Sequence, residues 1–319
     1  MNPLLQIRDL KTWFPIHRGV VSRTVGHVRA VDGVSLDIMP DETLGLVGES
    51  GCGKSTLART VALLEKPHAG TMQFNGQNLS QSQPGIRRKI QMIFQDPYSS
   101  LNPRMTVLQI LTEGLIQHKL IRVSERVATA RDILADVGMD DSALYRYSHE
   151  FSGGQRQRIS IGRALSMKPD LLICDEAVSA LDVSVQAQVI NLLLAIRKKH
   201  NLSYLFISHD LGVVRHMADR VAVMYLGQIV EEGPSEGIMD RPEHPYTRAL
   251  ISAIPGIGVE KKKRIVLQGD VPSPANPPPG CRFHPRCPYA KDICRMQSPE
   301  LKDMEDGRKV SCFFAGKLS

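Results

Sequence analysis

Gly48-Glu49-Ser50-Gly51-Cys52-Gly53-Lys54-Ser55 is the stretch on which the fold turns. It follows an apolar run, Thr43-Leu44-Gly45-Leu46-Val47, and leads into residues 56–64, which suit a helix. Strand, glycine-rich turn and helix is the context that a phosphate-binding loop requires. Glycines let the backbone curl until successive N–H groups face phosphate oxygens, and the following helix adds its positive end. Lys54 then reaches the β- and γ-phosphates, and the Ser55 hydroxyl ligands Mg²⁺. Gly48, Ser50, Gly51, Cys52, Gly53, Lys54, Ser55 and Thr56 are therefore the expected contacts of a nucleoside triphosphate.

Working outward, short β-rich runs at 43–47, 171–174, 204–207 and 221–225 alternate with helical patterns. That alternation predicts an α/β fold with a mainly parallel core sheet. One helix is expected over 124–137, with Val127, Ala130, Ile133, Leu134 and Val137 on one face, Ser124 as cap and Gly138 as stop. A second is expected over 184–199. Between 95 and 167 no strand pattern appears, so this stretch reads as a helical insertion. After Gly233, prolines punctuate the chain and exclude long regular elements. The expected organisation is thus an ATP-binding core at 1–94 and 168–233, a helical subdomain at 95–167, and a Pro/Cys-rich extension at 234–319.

Bulk properties exclude several classes. The 319 residues carry a net charge of +7 and are 42% hydrophobic. No apolar run approaches the roughly 18–20 residues needed to cross a bilayer, and the N-terminus lacks a secretory pattern. A cytoplasmic chain that meets a membrane only through partners is expected. The charge would suit nucleic acid, but it is dispersed apart from the run 261–264, which fits a solvated surface.

Leu171-Leu172-Ile173-Cys174-Asp175-Glu176 is an apolar strand ending in two carboxylates. In a phosphate-loop protein such a strand supplies an acid for Mg²⁺, Asp175, and a base for the attacking water, Glu176. Phe151-Ser152-Gly153-Gly154-Gln155 lies between the phosphate loop and that strand, with Ser152 placed to cap a helix. Gln95 in Phe94-Gln95-Asp96-Pro97, Ser179-Ala180-Leu181-Asp182, and His209 in Ile207-Ser208-His209-Asp210 follow the same order. With these motifs the sequence resembles the nucleotide-binding subunits of ABC transporters over nearly its whole length. The catalytic set is complete. Asp41 departs from the glycine usual in the family.

The resemblance implies a mechanism. Two such subunits close head to tail around two ATP molecules, each held between the phosphate loop of one and the Ser152–Gln155 segment of the other. It implies Glu176, His209 and Gln95 as catalytic residues, and Ser55, Gln95 and Asp175 around Mg²⁺. Ser152, Gly153, Gly154, Gln155 and Asp182 complete the nucleotide site. Phe14 sits where the family stacks an aromatic on adenine, with neighbouring Trp13 as the alternative. Two membrane permease subunits, a second and homologous ATPase subunit and a solute-binding protein are the implied partners, at the cytoplasmic face of the bacterial inner membrane and without nucleic acid. A non-transport ABC ATPase acting on nucleic acid or ribosomes is the alternative; this chain has one cassette and no long coiled-coil or zinc insertion.

Residues 241–250, Arg-Pro-Glu-His-Pro-Tyr-Thr-Arg-Ala-Leu, and 272–281 resemble segments of the ATPases serving dipeptide, oligopeptide and nickel importers, most closely the dipeptide/oligopeptide F-type subunit. Four cysteines follow as C-x5-C-x6-C-x17-C: Cys281, Cys287, Cys294 and Cys312. In a reducing cytoplasm such a cluster suits a metal more than disulfides. By chemistry alone, zinc, a [4Fe–4S] cluster and free thiols stay open. The resemblance to peptide-importer ATPases implies [4Fe–4S], with Zn²⁺ the alternative. Cys52 and Cys174 read as inert packing residues, and His244 and His284 as surface loop residues.

Overall fold

The structure is a computed structural model, and it describes residues 2–19, 22–80, 83, 85–254 and 265–317. The basic run at 261–264 lies outside the described residues. The chain forms two compact units, one from Met1–Leu79 with Ser208–Ser319 and one from Ser80–Ile207.

In the first unit, Leu5–Arg18 pairs antiparallel with Arg23–Ile38 on one side and Ala69–Phe74 on the other, and Gln77–Asn78 forms the edge. Leu5, Ile7, Leu10, Val31, Val34, Leu36 and Ile38 are buried beneath it. These strands were not expected from the pattern. Register shifts at Ile7/Leu10 and Thr12/Trp13 interrupt the period-2 alternation that would have revealed them.

Thr43–Val47 is buried at all five positions and runs parallel to Arg220–Tyr225. Gln228–Pro234 continues antiparallel, followed by Lys309–Val310 and Lys302–Asp303 from the far end of the chain. Asp41, ahead of this sheet, has φ 56°, the left-handed region that glycine adopts most readily.

The second unit holds three parallel strands, Ile90–Ile93, Leu171–Asp175 and Ser203–Ile207. Leu171–Asp175 and Ser203–Ile207 are buried throughout, so each reads as a continuous apolar run without alternation. The stretch from 95 to 167 is helical as expected, with Val107–Gln117, Arg126–Asp136 and Gly153–Ser166 as its main elements. They share a core of Val107, Leu111, Ala130, Leu134, Phe151 and Ile159. Its second helix begins differently from the expectation. A 3₁₀ turn at Val123–Glu125 precedes it, and the Glu125 carboxylate accepts the Arg122 N–H at 2.7 Å; Ser124 is not the cap. Gly138 at φ 65° ends it, as its position predicted.

Candidate functional site

In the first unit the phosphate loop leaves Thr43–Val47 and enters the helix Lys54–Val61. Gly53 is at φ 110°, and a Cβ there would lie 2.0 Å from the Ala30 carbonyl oxygen, so only glycine fits. Gly53 stands at the N-cap and offers no side-chain acceptor, and the positive end of the helix it opens favours an anion. Lys54 is 5% exposed, and its Nζ donates to the carbonyls of Gly48 at 2.8 Å and Glu49 at 3.0 Å. Burial pushes the Cys52 thiol up and the Cys174 thiol up to about 12, so both stay protonated, as packing residues should.

Trp13 is engaged within the chain. Its indole N–H donates to Asp32 at 3.1 Å, its ring stacks on His68 at 4.5 Å, and the Arg29 guanidinium sits over it at 5.1 Å. Phe14, beside it, is half-buried. His209 is exposed at the start of the helix Leu211–Met217, where Asp210 caps by accepting the N–H groups of Gly212 and Val213 at 2.8 and 3.2 Å.

In the second unit Asp175 closes its strand at 5% exposure, and Glu176 follows at φ 50°. A non-glycine residue in the left-handed region is uncommon and is held there by its surroundings. Its N–H donates to the Ile207 carbonyl at 3.0 Å, and its carbonyl accepts from Ser179 N–H and Oγ at 3.1 and 3.0 Å. The Gln95 amide donates to the Glu176 carboxylate at 3.0 Å, so two of the three expected catalytic residues meet directly. Ser152 caps Gly153–Ser166 in a reciprocal box with Gln155 (3.4 and 3.1 Å). A Cβ on Gly154 would lie 2.4 Å from Val185 Cγ1. Asp182 is exposed and occupies the N-cap position of Val183–His200.

The extension is anchored in the first unit more firmly than the sequence suggested. His244, expected at the surface, is 1% exposed; its Nδ1 accepts the Tyr246 N–H at 3.1 Å and caps Pro245–Ser252. Buried Glu231 accepts the N–H groups of Glu243 and His244 at 2.8 and 2.9 Å. Arg282 pairs with Asp32, and Arg286 with Glu49 of the phosphate loop. These pairings span more than two hundred residues of chain, and no local pattern announces them.

Cys281, Cys287, Cys294 and Cys312 all line one cavity of about 20 Å³, walled by His244, Phe283, Tyr289 and Phe314 among others. None is in a disulfide. Burial pushes Cys281 and Cys287 up to about 11, with the neighbouring thiols adding to the shift. Among the described residues, no group of three or more His, Cys, Asp or Glu side chains is arranged to hold a metal ion. The expected metal therefore finds four gathered thiols but no preformed site for a single ion.

The comparisons with known proteins match this architecture. Residues 31–179 match the ABC transporter family model, and residues 230–294 the oligopeptide/dipeptide transporter C-terminal region. The oligopeptide transport ATP-binding protein AppF of Bacillus subtilis is 52% identical, covering 97% of this chain and 96% of its own. The dipeptide transport ATP-binding protein DppF of Escherichia coli is 48% identical, covering 98% and 94%. Among solved structures, cbiO1 from Clostridium perfringens, part of the ABC transporter complex cbiONQ, superposes with TM-score 0.64 at 25% identity, covering 75% of this chain and 91% of its own. The chain belongs to the ATP-binding subunits of ABC transporters, in the branch that carries the oligopeptide/dipeptide transporter C-terminal region. Its reaction is ATP hydrolysis. No helix among the described residues is long and apolar enough to cross a membrane.

Proposed function

We propose that this chain hydrolyses ATP to drive import of di- or oligopeptides, or a closely related solute, through a membrane ABC complex at the cytoplasmic face of the bacterial inner membrane. The carrying observation is the second family match. Residues 230–294 fit a region described for oligopeptide/dipeptide transporters, and Glu231, His244 and Tyr246 build that region into the core. Two permease subunits, a solute-binding protein and a second, unlike ATPase subunit complete the assembly.

Each site residue has a role in this reading. The loop from Gly48 to Thr56 wraps the phosphates, and Lys54 balances the charge that develops on the γ-phosphate. Ser55, Asp175 and Gln95 surround Mg²⁺. Glu176 orients and deprotonates the attacking water, with Gln95 holding its carboxylate until nucleotide arrives. His209 contacts the γ-phosphate. Ser152, Gly153, Gly154 and Gln155 reach the nucleotide of the partner ATPase, and Asp182 lies beside it. Phe14 carries adenine, since Trp13 is already engaged by His68 and Arg29.

Cys281, Cys287, Cys294 and Cys312 would hold a [4Fe–4S] cluster. A cubane takes four thiolate ligands, and all four thiols line the same cavity. The cluster would cross-link a proline-rich tail that has little core of its own.

Glu176→Gln keeps ATP binding and abolishes turnover, giving an ATP-dependent dimer by size exclusion. Undiminished phosphate release by this variant would remove Glu176 as the base. Anaerobically purified protein carries about four irons per chain and a brown chromophore; one zinc and no colour would overturn the cluster.

A further inference from the structure

Glu49 ties the phosphate loop to the cysteine-rich extension at two points. Its carboxylate takes a bidentate pair from Arg286, Nη1 to Oε2 at 2.6 Å and Nη2 to Oε1 at 3.0 Å. Its N–H donates to the Tyr246 hydroxyl at 2.7 Å. Its carbonyl accepts Lys54 Nζ at 3.0 Å. Residue 49 is thus gripped at side chain and N–H by the extension, and at its carbonyl it fixes the lysine that meets the phosphates.

Both gripping residues are themselves rigidly placed. The Arg286 side chain is 7% exposed and ends the turn His284–Arg286, next to the cavity-lining Cys287. The Tyr246 ring is fully buried and packs on Tyr225 at 4.7 Å and on Phe283 at 5.5 Å, and Phe283 also lines the cysteine cavity. A planar guanidinium fork matched to a carboxylate fixes orientation as well as distance. An acidic residue in the loop would otherwise repel the phosphates a few residues away; paired with Arg286, its charge is neutralised and turned aside.

We infer that Arg286 and Tyr246 are positioning residues for ATP: they fix Glu49, and through its carbonyl Lys54, so that the extension sets the affinity of the phosphate loop for nucleotide. The inference rests on reading Gly48–Ser55 as the ATP loop, and it needs no metal at the cysteines.

The test is equilibrium binding of Mg²⁺–AMP-PNP to the full chain. Arg286→Gln and Tyr246→Phe are each expected to weaken binding about five- to tenfold, the range of a lost charge-assisted or buried hydrogen bond. Tyr246→Phe removes one oxygen and keeps the ring, so it reports on the hydroxyl even if Arg286→Gln folds poorly. Arg286→Lys restores only part of the affinity, because one ammonium cannot replace the fork. Glu49→Gln combined with Arg286→Gln is no weaker than Arg286→Gln alone. Affinities within twofold of the unaltered chain for both Arg286→Gln and Tyr246→Phe, or losses that multiply in the double variant, would overturn the inference. Lys54→Ala separates the two failures. If it binds as tightly as the unaltered chain, the phosphate-loop reading itself falls; if it loses binding while the other variants do not, only the positioning role falls.

Discussion

Gly154 occupies the second helical position after Ser152, where its backbone angles would accept any residue. What excludes a side chain there is Val185, whose Cγ1 would meet a Cβ at 2.4 Å. Gly154→Ala should therefore destabilise by about 1–3 kcal/mol, the usual cost of overpacking. Adding Val185→Ala should recover most of that loss in a urea melt. ATP hydrolysis by the assembled transporter should not recover with it, if the glycine is also needed for close approach to the partner's phosphate. Stability and activity restored together would reduce Gly154 to a packing residue. Glu176 and Gln95 were both legible from motif order, but their 3.0 Å hydrogen bond was not. Motif order singles out candidates; the contact between them lies beside a left-handed turn at Glu176, which no local pattern marks.

Capping decides how short elements around the site are held. Leu211–Met217 has only seven residues, too few to persist on propensity alone, and Asp210 supplies two of its orphan N–H groups with an acceptor. Asp210→Ala should cost about 1 kcal/mol and release the residue beside it, His209. Lower turnover with nucleotide affinity little changed is the expected kinetic signature, checked by kcat against KM. The same element scale shows what the sequence disclosed. Fully buried parallel strands such as Thr43–Val47 were legible as apolar runs, and Ser152 as a cap followed by Gln155. The hairpin of Leu5–Arg18 with Arg23–Ile38 was not, because its bulges break the alternation and Pro15 and Gly26 speak against strands. His244 read as a loop histidine because the cap it forms lies after it, and its burial comes from Glu231 and Phe283, distant in sequence.

At the scale of the whole chain, the tail is either an appendage or part of the core, and Arg308 distinguishes the two. Its side chain is 5% exposed, with Nη2 at 2.5 Å from Asp306, 3.6 Å from Glu243, and Nη1 at 3.9 Å from the fully buried Glu231. Its stem lies against Gly233, where a Cβ would meet Arg308 Cγ at 2.5 Å, and its neighbours Lys309–Val310 pair with Glu231 and Glu232 in the strand Gln228–Pro234. Removing the guanidinium leaves the Glu231 charge buried without its cation, a change worth about 3–5 kcal/mol. Arg308→Met keeps much of the stem's packing and isolates the charge, so most of the loss should remain. Burial already pushes the Glu231 carboxyl above the ordinary carboxylate value, opposed first by its hydrogen bonds, those from the Glu243 and His244 N–H groups among them, and then by Arg308. A raised folded-state pKa means the fold disfavours the charged form, so stability is lost as pH rises above the ordinary value of 4.5. The deficit of Arg308→Met should therefore be largest near neutrality and shrink as pH is lowered towards that value, where Glu231 takes up a proton and no bare charge stays buried. Urea melts at a series of pH values measure this directly. A deficit below about 1 kcal/mol, the scale of an exposed ion pair, would make the tail an appendage; a loss of the expected size that fades with acid places the tail in the cooperative unit that also carries the phosphate loop.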